Sequence, residues 1–165
     1  VDSRAGIDDI AAVALTQLDA HGLLFATDGR ATWTAYEHLF KHWQLFAQLK
    51  DGGEDFRSRL HMVSALTPVD TTYDQAFLGA SYRLFLDHLY EELGPEQMEG
   101  EGFNYGEDAP EAPHRPWRVR WDDVLRHFDP IQNPAQLDAA VFEKAFGDLK
   151  QLIDQLLGAE GLDHE

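Results

Sequence analysis

Residues 32 to 50 hold the pattern that most limits what this chain can fold into. Trp33, Tyr36, Phe40, Trp43 and Ala47 recur at three- and four-residue intervals, with Leu39 and Phe46 widening the stripe. Apolar side chains at that spacing share one side of an α-helix. Four large aromatics on one stripe carry too much apolar area to remain in water, so a principal core helix is expected here. "DGG" at 51–53 supplies its end, glycine being common just past a helix C-terminus.

The same period recurs along the chain. Ile7, Ile10, Ala14, Leu18 and Leu24 suggest a helix from Ile7 to Phe25. Phe56, Leu60, Val63 and Leu66 suggest a shorter one, stopped by Pro68. From Tyr73 to Leu93 the apolar side drifts, from Tyr73, Phe77 and Leu84 to Tyr82, Leu86 and Leu93. A helix that changes its buried side lies between different neighbours, so this one is expected at the centre. Thr72 and Gln75 stand at capping-box spacing before it.

"WDDVLRHFD" at 121–129 reads as a short helix. The last helix starts with Asn133 as N-cap and Pro134 at the first helical position. Leu137, Val141, Ala145, Leu149, Leu152 and Leu156 form its stripe, and Gly158 its stop. The expected fold is therefore mainly α, a single domain over 1–165 built as an irregular bundle of five or six helices.

One stretch breaks this pattern. Residues 94 to 114 hold six acids, four glycines and three prolines, with no lysine or arginine. They read as a long acidic loop spanning 94–116, and loops of such length tend to be functional or disordered. "WRVRW" at 117–121 then alternates strictly, with Trp117, Val119 and Trp121 on one side and Arg118 and Arg120 on the other. Period two means extended chain, so one short strand is expected near 115–121. "GFNYG" at 102–106 and "GLLFAT" at 22–27 are its candidate partners.

Charge narrows the function. Thirty acidic against 13 basic side chains leave a formal charge of −17 over 165 residues. Such a surface repels phosphate backbones and anionic lipid, and it attracts a basic partner. No apolar run approaches a membrane span. "VDSRAGIDD" has no basic stretch followed by an apolar one, so no secretory signal is expected. The chain has no cysteine, which excludes disulfides, thiolate metal sites and a cysteine nucleophile, and a cytoplasmic location is expected.

Chemical motifs are sparse. His38 and His42, four apart on the aromatic helix, could chelate a divalent metal, with His61, His88 or Glu37 as further ligands. "GASYR" around Ser81 lacks the second glycine of a nucleophile elbow. "GEGFNYG" has the wrong spacing for a dinucleotide loop and places Glu101 where an anion must approach.

These residues favour a non-catalytic acidic protein that binds a basic protein partner. An immunity or antitoxin-like inhibitor, a secretion chaperone and a nucleic-acid mimic all fit that description. The expected binding residues are Glu101, Tyr105, Glu107, Asp108, Glu111, Arg115, Arg118 and Arg120, and no cofactor is expected. The alternative is a small metal-dependent helical-bundle enzyme with a divalent metal on His38 and His42. Assembly with its own copies is a third reading.

Overall fold

A computed structural model describes residues 18, 20–47, 55–92, 102–129, 131–133 and 138–160. Among them the chain is α/β, not the all-helical bundle its periodicity suggested. Strand β1 (Gly22–Ala26) leads into helix α1 (Arg30–Ala47). A 3-10 turn at Phe56–Arg59 opens β2 (Leu60–Thr67), which is followed by α2 (Thr71–His88). Then come β3 (Trp117–Arg120), a second 3-10 turn at Asp123–His127, and α3 (Ala139–Glu160). The three strands form one parallel sheet in the order β1-β2-β3.

The largest correction falls on residues 56–67. Phe56, Leu60, Val63 and Leu66 mimic one side of a helix, yet "LHMVSALT" is the middle strand of the sheet. A strand covered on both faces reads as a continuous apolar run, which short-range periodicity cannot separate from a buried helix. Met62 and Val63, neighbours on opposite faces, are both fully buried. "GLLFA" is likewise a strand, and so ends no helix begun at Ile7; residues 1–17 lie outside the described residues.

Register defines the two faces. Gly22 pairs with Leu60 and Leu24 with Met62, so these side chains point one way, with Ala26 and Ser64. Right-handed crossovers in the order β1-β2-β3 put α1 and α2 on one side. There Tyr36, Leu39, Phe40 and Trp43 of α1 meet Phe77, Leu84 and Phe85 of α2 over Leu24, Leu60 and Met62. Phe40 is the hub, stacked on Trp43 and edge-on to Phe85. The aromatic helix is thus the core element its sequence implied.

On the other face lie Leu23, His61, Val63 and Trp117. Helix α3 packs against β3, with Ala145 and Leu152 buried. The β2–β3 register runs from Ser64↔Arg118 to Thr67↔Arg120, so β2 carries one extra residue. That bulge places Leu66 at φ +55° with its side chain 55% exposed. Thr67 Oγ1 donates to the Ser64 carbonyl at 2.8 Å and closes the bulge from inside.

Several ends differ from expectation. Asp70 caps α2 by accepting from the Thr72 amide at 2.8 Å, in place of the Thr72–Gln75 box. Asp138 caps α3 by accepting from the Val141 amide at 2.9 Å. Asn133 is exposed ahead of it, with 134–137 outside the described residues. "WDDVLRHFD" makes only a 3-10 turn, capped by Asp122. Leu93, Lys50 and "DGG" also lie outside the described residues. No helix among the described residues is long and apolar enough to cross a membrane.

Candidate functional site

The described part of the acidic segment, residues 102–116, is a strap fixed at both ends. Its start is held by Arg57, in the 3-10 turn before β2. Arg57 Nε lies 2.8 Å from both Asp55 carboxylate oxygens, Nη1 donates to the Leu89 carbonyl at 2.7 Å, and Nη2 donates to Glu91 Oε1 at 2.7 Å. The same guanidinium lies 4.5 Å over the Phe103 ring. Hydrogen bonding from Arg57 holds the Glu91 carboxyl below the usual carboxylate range. Glu91 Oε2 in turn accepts from the Phe103 amide at 3.2 Å. Gly102 has φ +79°, and a Cβ there would stand 2.5 Å from Glu91 Oε2, so a larger residue would be strained and would displace that carboxylate.

The far end is pinned by His114, which is fully buried. Its Nε2 lies 2.9 Å from the Glu107 carbonyl, which can only accept, so the hydrogen resides on Nε2. Nδ1 is then bare and accepts a short hydrogen bond from the Tyr90 hydroxyl. Burial keeps the imidazole neutral by pushing its pKa down, and it pushes the Tyr90 phenol up. The His114 carbonyl accepts from Ser81 Oγ at 2.7 Å, and the Pro113 carbonyl accepts from the Met62 amide at 3.1 Å. Strap backbone thus continues the β2 pairing ahead of β3. Tyr90, Phe103 and Tyr105 close the apolar side, all rings within 5.6 Å of one another.

What the strap shows to solvent is charge. Glu107, Asp108 and Glu111 are exposed, and none makes an ion pair among the described residues. Tyr105 belongs to the aromatic cluster and is half-buried. Glu101 lies outside the described residues. The arginines divide. Arg115 is exposed and reaches only the Asp108 carbonyl, at 3.3 Å. Arg118 turns inward between two of the chain's own acids, its Nε 3.2 Å from Asp74 Oδ2 and its Nη1 3.5 Å from Asp148 Oδ2. The Nε–H is out of line for a hydrogen bond, so that contact is ionic. It ties α2 to α3 across β3. Arg120 is half-buried, with no ion pair among the described residues.

Trp117 and Val119 are half-buried as well, so the strap is anchored less by the alternating tryptophans than by Ala112, Pro113, His114 and Pro116. The sequence did not mark His114, met only as the end of a Glu-x-x-His spacing from Glu111 in a proline-rich loop, or Arg57 as anchors. A lone histidine between prolines carries no periodic signal, and its partner Tyr90 lies on another element.

Behind the strap, between it and α3, lies a cavity of about 550 Å³. His61, Glu111, Arg115, Trp117, Gln151 and Leu152 border it. His61 is driven down to a pKa of about 4, first by burial and then by the neighbouring His21. The expected metal pair sits elsewhere, on α1, with His38 exposed and His42 half-buried. Glu37 is near His38 and His88 but is bound to Lys41 at 2.5 Å. Among the described residues no three His, Cys, Asp or Glu side chains converge as a metal cage.

Fold and site together define an α/β protein with a three-stranded parallel sheet and a pinned acidic strap. No protein-family model, curated protein or solved structure matches the chain.

Proposed function

We propose that this chain is an acidic binding protein whose strap receives a basic protein partner. The observation that carries the reading is the contrast within residues 102–116. The apolar and backbone groups are locked to α2 and β2, while Glu107, Asp108 and Glu111 stand exposed without ion pairs among the described residues. Carboxylates on a backbone that is already ordered lose little conformational freedom on binding, so more of their attraction remains as affinity. The charge of −17 steers a cationic partner toward the molecule and speeds encounter. Inhibition of a basic toxin, chaperoning of a basic cargo and mimicry of a nucleic acid are three uses of such a surface. A cytoplasmic location accompanies this reading, since a cysteine-free chain draws nothing from an oxidising compartment.

The test is charge reversal at the strap. Glu107→Lys, Asp108→Lys and Glu111→Lys are combined in one variant, whose melting temperature should stay within a few degrees of wild type. A basic partner captured from native lysate by the wild-type chain should elute with rising salt and bind the variant at least tenfold more weakly. Equal retention by both proteins, or retention insensitive to salt, would remove the strap from the binding surface.

A further inference from the structure

His21 stands just before β1, two residues ahead of Leu23, and Leu23 pairs with His61 across the β1–β2 ladder. Side chains two residues apart on extended chain share a face, so both imidazoles rise from the face that carries Trp117. His21 Nδ1 lies 3.0 Å from His61 Nε2, with the ring centroids 5.2 Å apart and the planes inclined by 29°. Neither residue takes part in the strap or in the arginine network described above.

We propose that His21 and His61 form a two-histidine chelate for a divalent transition-metal ion of the zinc, nickel or copper type, with its remaining coordination positions open toward the cavity behind the strap. Two imidazole nitrogens bound cis to such an ion, at metal–nitrogen lengths of about 2.0–2.1 Å, lie about 2.9–3.4 Å apart. The pair already has that separation, and no strand has to move to reach it. Both lone pairs must turn off the N···N line onto the ion, and rotation about the last torsion, a broad minimum for histidine, allows this at the exposed His21 ring.

Protonation also fits. In the metal-free pair one ring donates its N–H to the bare nitrogen of the other. Binding requires both facing nitrogens bare, so the donor's hydrogen moves through solvent to its other ring nitrogen. No net proton is released while both rings are neutral. Imidazole pairs suit zinc, nickel and copper, and water or a carboxylate entering the cavity can complete the sphere. Glu111 borders the same cavity as His61.

The experiment titrates zinc, nickel or copper ions alone into tag-free full-length protein at pH 7.5, in competition with a chromophoric chelator. Expected is one equivalent bound by wild type, weakened at least tenfold by His21→Ala and by His61→Gln. The combined His38→Ala and His42→Ala variant should leave that equivalent unchanged. His21 is exposed, so His21→Ala tests the site even if the His61 variant fails to fold. With copper, the paramagnetic resonance spectrum should show splitting from two imidazole nitrogens in wild type and from one in His21→Ala. Unchanged affinity in His21→Ala, or loss of the equivalent with the His38 and His42 pair instead, overturns the proposal.

Discussion

His114 shows how much one side chain can organise in this molecule. Its two ring nitrogens are both used, one donating to the Glu107 carbonyl and one accepting from Tyr90, in a site with no exposure. Truncation would open a cavity and strand the Tyr90 hydroxyl, so His114→Ala should lower stability by about 3 kcal/mol in denaturant unfolding. Its titration gives a second prediction. Burial places the folded pKa below the unfolded value of about 6.5. Above that pH both states are neutral and the group contributes nothing. Below it the unfolded chain takes up a proton that folded His114 refuses, so stability falls as pH drops from about 6.5. His61 adds to the same slope, and His114→Gln should flatten the pH 7 to 5 stability curve in part. Leu66 offers the opposite case. At φ +55° with an exposed side chain, Leu66→Gly should be neutral or stabilise by up to about 1 kcal/mol.

At the scale of elements, the strap behaves as part of the sheet. The Pro113 carbonyl pairs with β2 and Ala112 is buried, so removing residues 104–112 deletes the acceptor of His114 and a piece of core. That deletion should lower the melting temperature by about 10 °C or more, on the order of 3 to 4 kcal/mol in a chain of this size. Binding by this protein is therefore better tested with strap charge reversals than with strap deletions. Arg118 joins elements more weakly. Its guanidinium and both partner carboxylates are partly exposed, so Arg118→Ala should cost only about 1 kcal/mol while loosening α3 from α2. Amide exchange in α3 should quicken while α1 exchange stays unchanged.

For the whole molecule, charge dominates. At −17 the folded chain repels itself, and the compact state suffers more than the expanded one. Raising sodium chloride from about 10 mM to 300 mM should shorten the Debye length and raise the melting temperature by a few degrees. The same salt should slow association with a basic partner, which stopped-flow fluorescence of the four tryptophans can follow. Stability and encounter rate thus respond to salt in opposite directions.

Residues 32 to 43 were legible in the sequence because a helix with one buried stripe writes its period into consecutive positions. Trp33, Tyr36, Phe40 and Trp43 all meet the core from α1. The extended "WRVR" was legible for the matching reason, its period of two. Excess negative charge and the lack of cysteine also follow from the sequence alone. Tertiary structure decided the rest. Whether "LHMVSALT" is helix or strand depends on neighbours above and below it, since burial on both faces erases alternation. Whether Arg118 points outward or between Asp74 and Asp148 depends on where α2 and α3 end up, 44 and 30 residues away along the chain. The meeting of His21 with His61 depends on a strand register that no local pattern encodes. Periodicity reports which side of a segment avoids water; only the packed molecule reports what that side, or its opposite, touches.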